Sequence, residues 1–321
     1  KWRKNAQNET HKYLKDGLKE RAVTRNLDWG VDIPVDGFED KKMYVWIDAV
    51  LGYITATMKY CKSNNLNWED WWKENEQNNK IYMVHGKDNI VFHTLILPGL
   101  LIGLNENFHL PDTIVSTEYL NFNDQKFSKS KGIGLTTLEA LNKFDAETLR
   151  FHLIKNGPES KDSNFTEEDY IMTHNEITNK LGNFVNRTLK YKGLSEIPRG
   201  IMDINVEKYI NEKYIEISNY IENIEFRKAT LSIIELLDYL NKYYDDKKPW
   251  ILYKENMTEF NNTIYTCSVS IANLSNLIEP FMPKTAEKIK NYLSIKNKSW
   301  KYIDKLDCIK LSNIEPLFER K

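Results

Sequence analysis

The spacing of apolar residues changes once along this chain, near residue 165, and the change constrains the fold more than any other feature. Before it, short β-prone runs occupy residues 43–49, 80–86 and 112–117. The intervals 50–62 and 90–103 are long enough for helices. Strand–helix–strand order with nearly continuous apolar strands predicts a parallel sheet covered on both faces. After residue 165 the period is helical. Ile264, Cys267, Ile271, Leu274 and Ile278 alternate steps of three and four, which is one buried helical stripe. Leu231, Ile234, Leu237 and Leu240 make another, and that helix should stop before Pro249, which has no N–H and disfavours α conformation in the residue before it. The expected class is therefore α/β followed by all-α, the second part a helical bundle.

Between the two patterns lies Lys126-Phe127-Ser128-Lys129-Ser130-Lys131-Gly132-Ile133-Gly134. No apolar period runs through it, so it reads as a loop without packing. Ammonium groups on a glycine-hinged loop suit a polyphosphate, and a solvated basic turn is the plain alternative. Thr136-Thr137-Leu138-Glu139 reads as a capping box and Asp145 as the N-cap of the next helix. Asn156 to Asn164 is a turn-rich linker.

Bulk properties narrow the function only a little. The 321 residues are 41% hydrophobic and 28% charged, with a net charge of −1, so no global basic field signals nucleic acid. Local patches would have to meet an RNA. Cys61, Cys267 and Cys308 lie far apart without CxxC spacing, which argues against a zinc site and fits a reducing compartment. No signal peptide and no apolar run long enough to span a bilayer is evident, so no membrane partner is expected.

Four further segments carry candidate chemistry. In Tyr44-Val45-Trp46-Ile47-Asp48-Ala49-Val50-Leu51-Gly52-Tyr53, the two aromatics Trp46 and Tyr53 could wall an apolar slot, with Ala49 leaving room; an aromatic core strand is the plain reading. In Gly86-Lys87-Asp88-Asn89-Ile90-Val91-Phe92-His93, Gly86 admits close backbone approach, Asp88 suits ribose hydroxyls and His93 could line the same pocket. A histidine satisfied within the core is the alternative there. Asn179, Asn183 and Arg187, at i, i+4 and i+8, form a polar stripe that suits base edges or a merely solvated face. Trp250, just past the proline stop, offers a stacking platform or a cap on the bundle.

Taken together these segments resemble the methionyl-tRNA synthetases, a family of class I aminoacyl-tRNA synthetases. Lys126 to Ser130 is similar to the KMSKS signature, Tyr44 to Tyr53 to the methionine-pocket segment and Gly86 to His93 to the GKD…FH segment. Asn179 to Arg187 and Lys248-Pro249-Trp250 resemble the anticodon-reading stretches. The resemblance runs nearly end to end. It implies an ATP-dependent ligase, using Mg2+ with its ATP, that joins methionine to tRNA-Met in the cytoplasm. It places Lys126 and Lys129 as catalytic residues on the triphosphate, and Gly86 and Asp88 at the adenosine ribose. Arg25, Trp46, Ala49, Tyr53 and His93 would line the methionine pocket, and Asn179, Asn183, Arg187 and Trp250 would read the anticodon. Residues 1–115 would be the C-terminal half of a Rossmann-type core, 116–165 the KFSKS loop and stem-contact segment, and 166–321 the anticodon domain.

The chain also departs from the family pattern. Phe127 stands for the usual methionine, Ser116-Thr117-Glu118 replaces a His-Gly pair, and Val50 and Asn89 differ from common pocket residues. No His-x-Gly-His motif occurs, nor the family's zinc-knuckle cysteines, and the chain opens on Lys1-Trp2. The expectation is a C-terminal portion whose partner is the missing N-terminal half, with zinc only in that half and no adenylate formation by this portion alone. A non-catalytic tRNA-binding fragment and another class I synthetase are the alternatives.

Overall fold

Two units account for the chain, one formed by Lys1–Tyr119 with Pro158–Asp162, the other by Leu120–Gly157 with Ser163–Lys321. The computed structural model describes residues 1–74, 79–296 and 299–319, and the side chain of Lys129 lies outside the described residues.

The first unit runs α1 (Lys4–Asp16), β1 (Thr24–Arg25), β2 (Lys42–Met43), α2 (Val45–Asn64), α3 (Glu69–Trp72), β3 (Tyr82–Gly86), α4 (Leu97–Leu104) and β4 (Thr113–Thr117). As its apolar strands imply, β3 and β4 pair in parallel, with Tyr82 opposite Thr113 and Gly86 opposite Thr117. The aromatic run 43–49 is not a strand. β2 ends at Met43, and α2 begins at Val45. Helical spacing wins there because Val50, Ile54 and Cys61 bury one face of α2, a period that alternation cannot supply. From Lys87 to Leu104 the chain is helical throughout, through a 3-10 turn (Lys87–Asn89) and a widened π turn (Phe92–Ile96). The widening precedes Pro98, which cannot donate back to the preceding turn. By length and composition this run could cross a membrane, but Ile90, Leu97 and Leu101 pack it into a core with Ala6, Ile54, Met83 and Ile114.

The second unit begins with β5 (Leu120–Phe122), β6 (Gln125–Lys126), α5 (Thr137–Lys143), α6 (Ala146–Lys155) and β7 (Ser163–Phe165). The order β6-β5-β7 makes a small sheet. The capping box at α5 is complete, with Thr136 and Glu139 each accepting from the other's backbone N–H, and Asp145 caps α6. The remainder is helical: α7 (Glu167–Ile177), a π turn (Thr178–Gly182), α8 (Asn183–Leu189), α9 (Ile204–Glu222), α10 (Phe226–Lys247), α11 (Pro249–Glu255), α12 (Met257–Ile278) and α13 (Pro283–Tyr292). As Pro249 requires, α10 ends before it, and the proline opens α11 with Lys248 in the left-handed region at the junction. Every residue of α12 from Thr263 to Ile278 is buried, so it is the axis of the bundle. The stripe expected on α10 holds at Ile234, Leu237 and Leu240, but Leu231 is exposed. An α/β part with a small parallel sheet followed by an α-helical bundle is thus the architecture.

Candidate functional site

On α2, Trp46, Ala49 and Tyr53 fall at i, i+3 and i+7, one face of the helix, and all three are exposed. The buried residues Val50, Ile54 and Cys61 lie about a quarter-turn further round the helix, so these three border the packed face of α2. Trp46 stacks on Phe92, with centroids 4.7 Å apart and planes at 21°. Tyr53 meets His93, its hydroxyl 2.9 Å from Nε2. Nδ1 of His93 lies 2.8 Å from the carbonyl oxygen of Asn89, which can only accept, so Nδ1 carries the hydrogen. Nε2 of the neutral ring is then an acceptor, and the tyrosine donates to it. Burial pushes the His93 imidazole below its ordinary value, which keeps the ring neutral around pH 7. The result is a fixed chain, Tyr53 to His93 to Asn89, at the C-terminal end of β3, the position where ligands of parallel sheets are bound.

Two neighbours of this chain escaped the sequence reading. The ring of His85 stacks on His93 at 4.2 Å and 16°. The Arg21 guanidinium lies 5.6 Å from the centroid of Phe92. Neither had a sequence signal, because each contact is made between residues that only the fold brings together. Arg25, expected beside the pocket, lies over the Tyr44 ring at 3.9 Å and donates to the carbonyl oxygens of Ala22 and Thr24.

Just past β3, Gly86 has open space where a Cβ would stand, so backbone approach there is unobstructed. Asp88 is exposed and accepts a hydrogen bond from the Tyr119 hydroxyl. Lys87 stands between two carboxylates, with Nζ 2.8 Å from Glu118 and 2.8 Å from Asp162, and 3.9 Å from the Tyr119 ring centroid. The bonds to Asp162 and then Glu118 hold its pKa well above the ordinary lysine value. Glu118, one of the departures from the family pattern, thus has a defined role as a partner of Lys87.

In the second unit the basic loop is closed rather than open. Ser128 and Ile133 exchange both backbone hydrogen bonds at 3.0 Å, enclosing a 3-10 turn at Lys129–Lys131. Phe127 lies on Phe122 with centroids 5.8 Å apart. Gly134 has φ +111°, and a Cβ on it would stand 2.2 Å from the Phe127 ring. The loop read as unpacked is therefore anchored by its own aromatic, and the second glycine is there for close approach. Lys126 is exposed at the end of β6.

The polar stripe on α7–α8 divides in two. A π turn at Thr178–Gly182 runs between Asn179 and Asn183, and the two still face one groove. Asn179, Asn183 and Asn186 line a groove of ≈ 520 Å³ with Leu317 and Phe318. Arg187 belongs to the other end. It bonds Asp245 at 2.6 Å and both oxygens of Asn241, and lies 4.1 Å from the Tyr244 centroid. Tyr244 in turn neighbours Trp250 at 6.4 Å, and Trp250 is 48% exposed. A fixed guanidinium and a half-open indole suit stacking and hydrogen bonding to unpaired bases. Among the described residues no group of His, Cys, Asp and Glu is placed to hold a metal ion.

Known proteins resemble this chain along most of its length. The family model for class I tRNA synthetases (M) matches residues 1–189, and that for the anticodon binding domain of methionyl tRNA ligase matches residues 198–313. Methionine–tRNA ligase 1 of Alkaliphilus oremlandii is 38% identical over all of this chain and 59% of its own length. The methionine–tRNA ligase of Bacillus cereus is 40% identical over 99% of this chain and 58% of its own length. The chain thus spans rather more than half the length of these relatives. Among solved structures, Mycobacterium tuberculosis methionyl-tRNA synthetase bound by methionyl-adenylate superposes with a TM-score of 0.85 at 23% identity, covering 99% of this chain and 64% of that one.

Proposed function

We propose, since this chain belongs to the class I tRNA synthetase (M) family, that it carries one side of a methionine-activating site together with the anticodon reader of the same enzyme. The reaction is the attack of methionine carboxylate on the α-phosphate of ATP, followed by transfer of the methionyl group to tRNA-Met. The observation that carries the reading is the Tyr53–His93–Asn89 chain beside the Trp46–Phe92 stack, which sets one fixed polar group next to exposed aromatic surface. Such a surface suits a flexible thioether side chain. Ala49 leaves that face of α2 uncrowded, and Arg25, which lies over the Tyr44 ring just before α2, is assigned to the same pocket.

On this reading Gly86 and Asp88 hold the adenosine ribose, and Tyr119 aims the Asp88 carboxylate. Lys126 and Lys129 stabilise charge that develops on the triphosphate as pyrophosphate leaves. Mg2+ arrives with the ATP as part of the substrate. Asn179, Asn183, Arg187 and Trp250 meet the anticodon. The domain limits 1–115, 116–165 and 166–321 and a cytoplasmic setting belong to the same proposal.

We further propose that residues outside this sequence complete the nucleotide fold. Two facts support this: the chain spans 58–59% of its relatives' length, and β3 turns Tyr82 and Val84 outward although parallel strands are ordinarily covered. The 321 residues alone then form no methionyl-adenylate. ATP–pyrophosphate exchange tests both claims. The full-length polypeptide should exchange with methionine and with no other amino acid, and this chain alone should be silent. Exchange by the isolated chain would refute the incomplete site; exchange driven by another amino acid would refute the methionine pocket; tRNA binding with no exchange by the full-length polypeptide would favour a non-catalytic tRNA-binding module.

A further inference from the structure

His85 occupies an unusual place for a histidine. It stands on β3 on the same side as the buried Met83, where a β-branched apolar residue would pack without polar cost. Its Nδ1 lies 2.9 Å from the carbonyl oxygen of Gly86, so Nδ1 carries the hydrogen and Nε2 of the neutral ring is an acceptor. That Nε2 is buried and has no hydrogen-bond partner among the described residues. Burial, and secondarily the neighbouring His93, lower the pKa of His85, so a neutral ring faces a neutral ring. The second nitrogen is therefore not what the fold uses. What it uses is the flat face, stacked on His93 at 4.2 Å and 16°.

His93 has two edges fixed by hydrogen bonds, one to Tyr53 and one to Asn89. Those two bonds still allow the ring to tilt about the line that joins its nitrogens. A flat surface on one face removes that freedom. We propose that His85 is a positioning residue: its ring backs His93, sets the plane of that imidazole, and so sets where the Tyr53 hydroxyl meets the amino-acid substrate. This rests on the assignment of Tyr53 and His93 to the methionine pocket. His85 also bonds the Gly86 carbonyl, so one ring borders both the amino-acid side and the nucleotide side of the site.

The test uses two substitutions that separate flatness from volume. His85→Leu keeps apolar volume and offers no flat face; His85→Phe keeps the face and removes both nitrogens. In the 321-residue chain, NMR of histidine-labelled protein should show the His93 ring signals lose their ring-current shift in H85L and recover it in H85F. In the full-length polypeptide, H85L should raise the KM for methionine about fivefold, as expected from loss of one aromatic pair, with kcat and the KM for ATP little changed. H85F should restore the methionine KM. Unchanged His93 signals in H85L overturn the proposal, as does a methionine KM that rises equally in H85F or an ATP KM that rises with it. Absence of methionine-dependent exchange in the unsubstituted polypeptide would instead remove the pocket assignment and the proposal with it. Methionine-dependent exchange together with unmoved His93 signals would sink only the role of His85.

Discussion

In the bundle, sixteen consecutive residues of α12, Thr263 to Ile278, are buried, and most of the polar ones among them are paired: Ser268 and Ser270 donate to carbonyls one turn back, and Asn273 donates to Ile303. In β3, by contrast, Tyr82 and Val84 are 48% and 71% exposed. Both regions are apolar in sequence. They differ in what surrounds them. The helical unit closes its own core, whereas the sheet unit leaves one side of a strand open and turns Trp46 and Tyr53 outward on α2. A region that spends its apolar surface on itself is a scaffold; a region that leaves such surface open has it available for a substrate or for further chain. The candidate residues sort accordingly. Trp46, Tyr53 and His93 lie in the open unit, while Arg187 and Trp250 sit on the rim of the closed one.

The largest expected effect breaks any simple equation of the closed unit with mere support. Lys129 lies in the second unit, and on the proposed reading, in which its interaction grows only in the transition state, Lys129→Ala in the full-length polypeptide should slow adenylation by about a thousandfold with the methionine KM unchanged. Single-turnover pyrophosphate exchange reads this, and an unaltered rate would remove the lysine from the chemistry. Next in size is the packing contrast itself. Leu237→Ala should cost about 3 kcal/mol in denaturant unfolding of the bundle, whereas Val84→Ala should cost under about 0.5 kcal/mol, since that side chain is already in solvent. Equal costs would mean that the open side of β3 is covered in solution.

Acid should sharpen the difference further. His152 is buried in the second unit, and burial drives its pKa down from 6.5 to about 4. The folded value lies below the unfolded one, so the unfolded chain binds the extra proton between them. The stability that depends on the neutral ring is complete above about pH 6.5 and drains away as pH falls through about 4, to a total of up to about 3 kcal/mol. Unfolding midpoints of the bundle measured from pH 7 to pH 4 should fall along that course, and His152→Gln should flatten it. The smallest effect is local: Thr136→Ala, which opens the capping box of α5, should cost about 1 kcal/mol, visible as reduced amide protection in the first turn of that helix.

Much of this contrast was legible in the residues because it is local. The box at Thr136–Glu139, the cap at Asp145, the stop at Pro249 and the stripe on α12 each depend on neighbours within about two turns. Residues 43–49 misled for the same reason. An aromatic and β-branched run favours a strand, and only the wider spacing Val50, Ile54, Cys61 reveals the helix. What could not be read is what the fold alone assembles: His85 against His93, Lys87 held by Glu118 and by Asp162 seventy-five residues away, Phe127 folded onto Gly134, and Leu317 and Phe318 beside Asn179. The Asn179–Asn183–Arg187 stripe shows both sides. Its helix was evident, but that Asn179 and Asn183 share a groove while Arg187 is held by Asp245 and Asn241 was not.

The claim that most directly joins the two units to one function is that the closed unit reads an anticodon without help from a complete catalytic site. Fluorescence anisotropy of labelled tRNA-Met with this 321-residue chain tests it, against a transcript that differs only in the anticodon. The unaltered tRNA should bind at least about tenfold more tightly, a margin lost on Trp250→Ala through removal of one stacked base. Equal affinity for the two transcripts, or full discrimination in the Trp250→Ala chain, would contradict it.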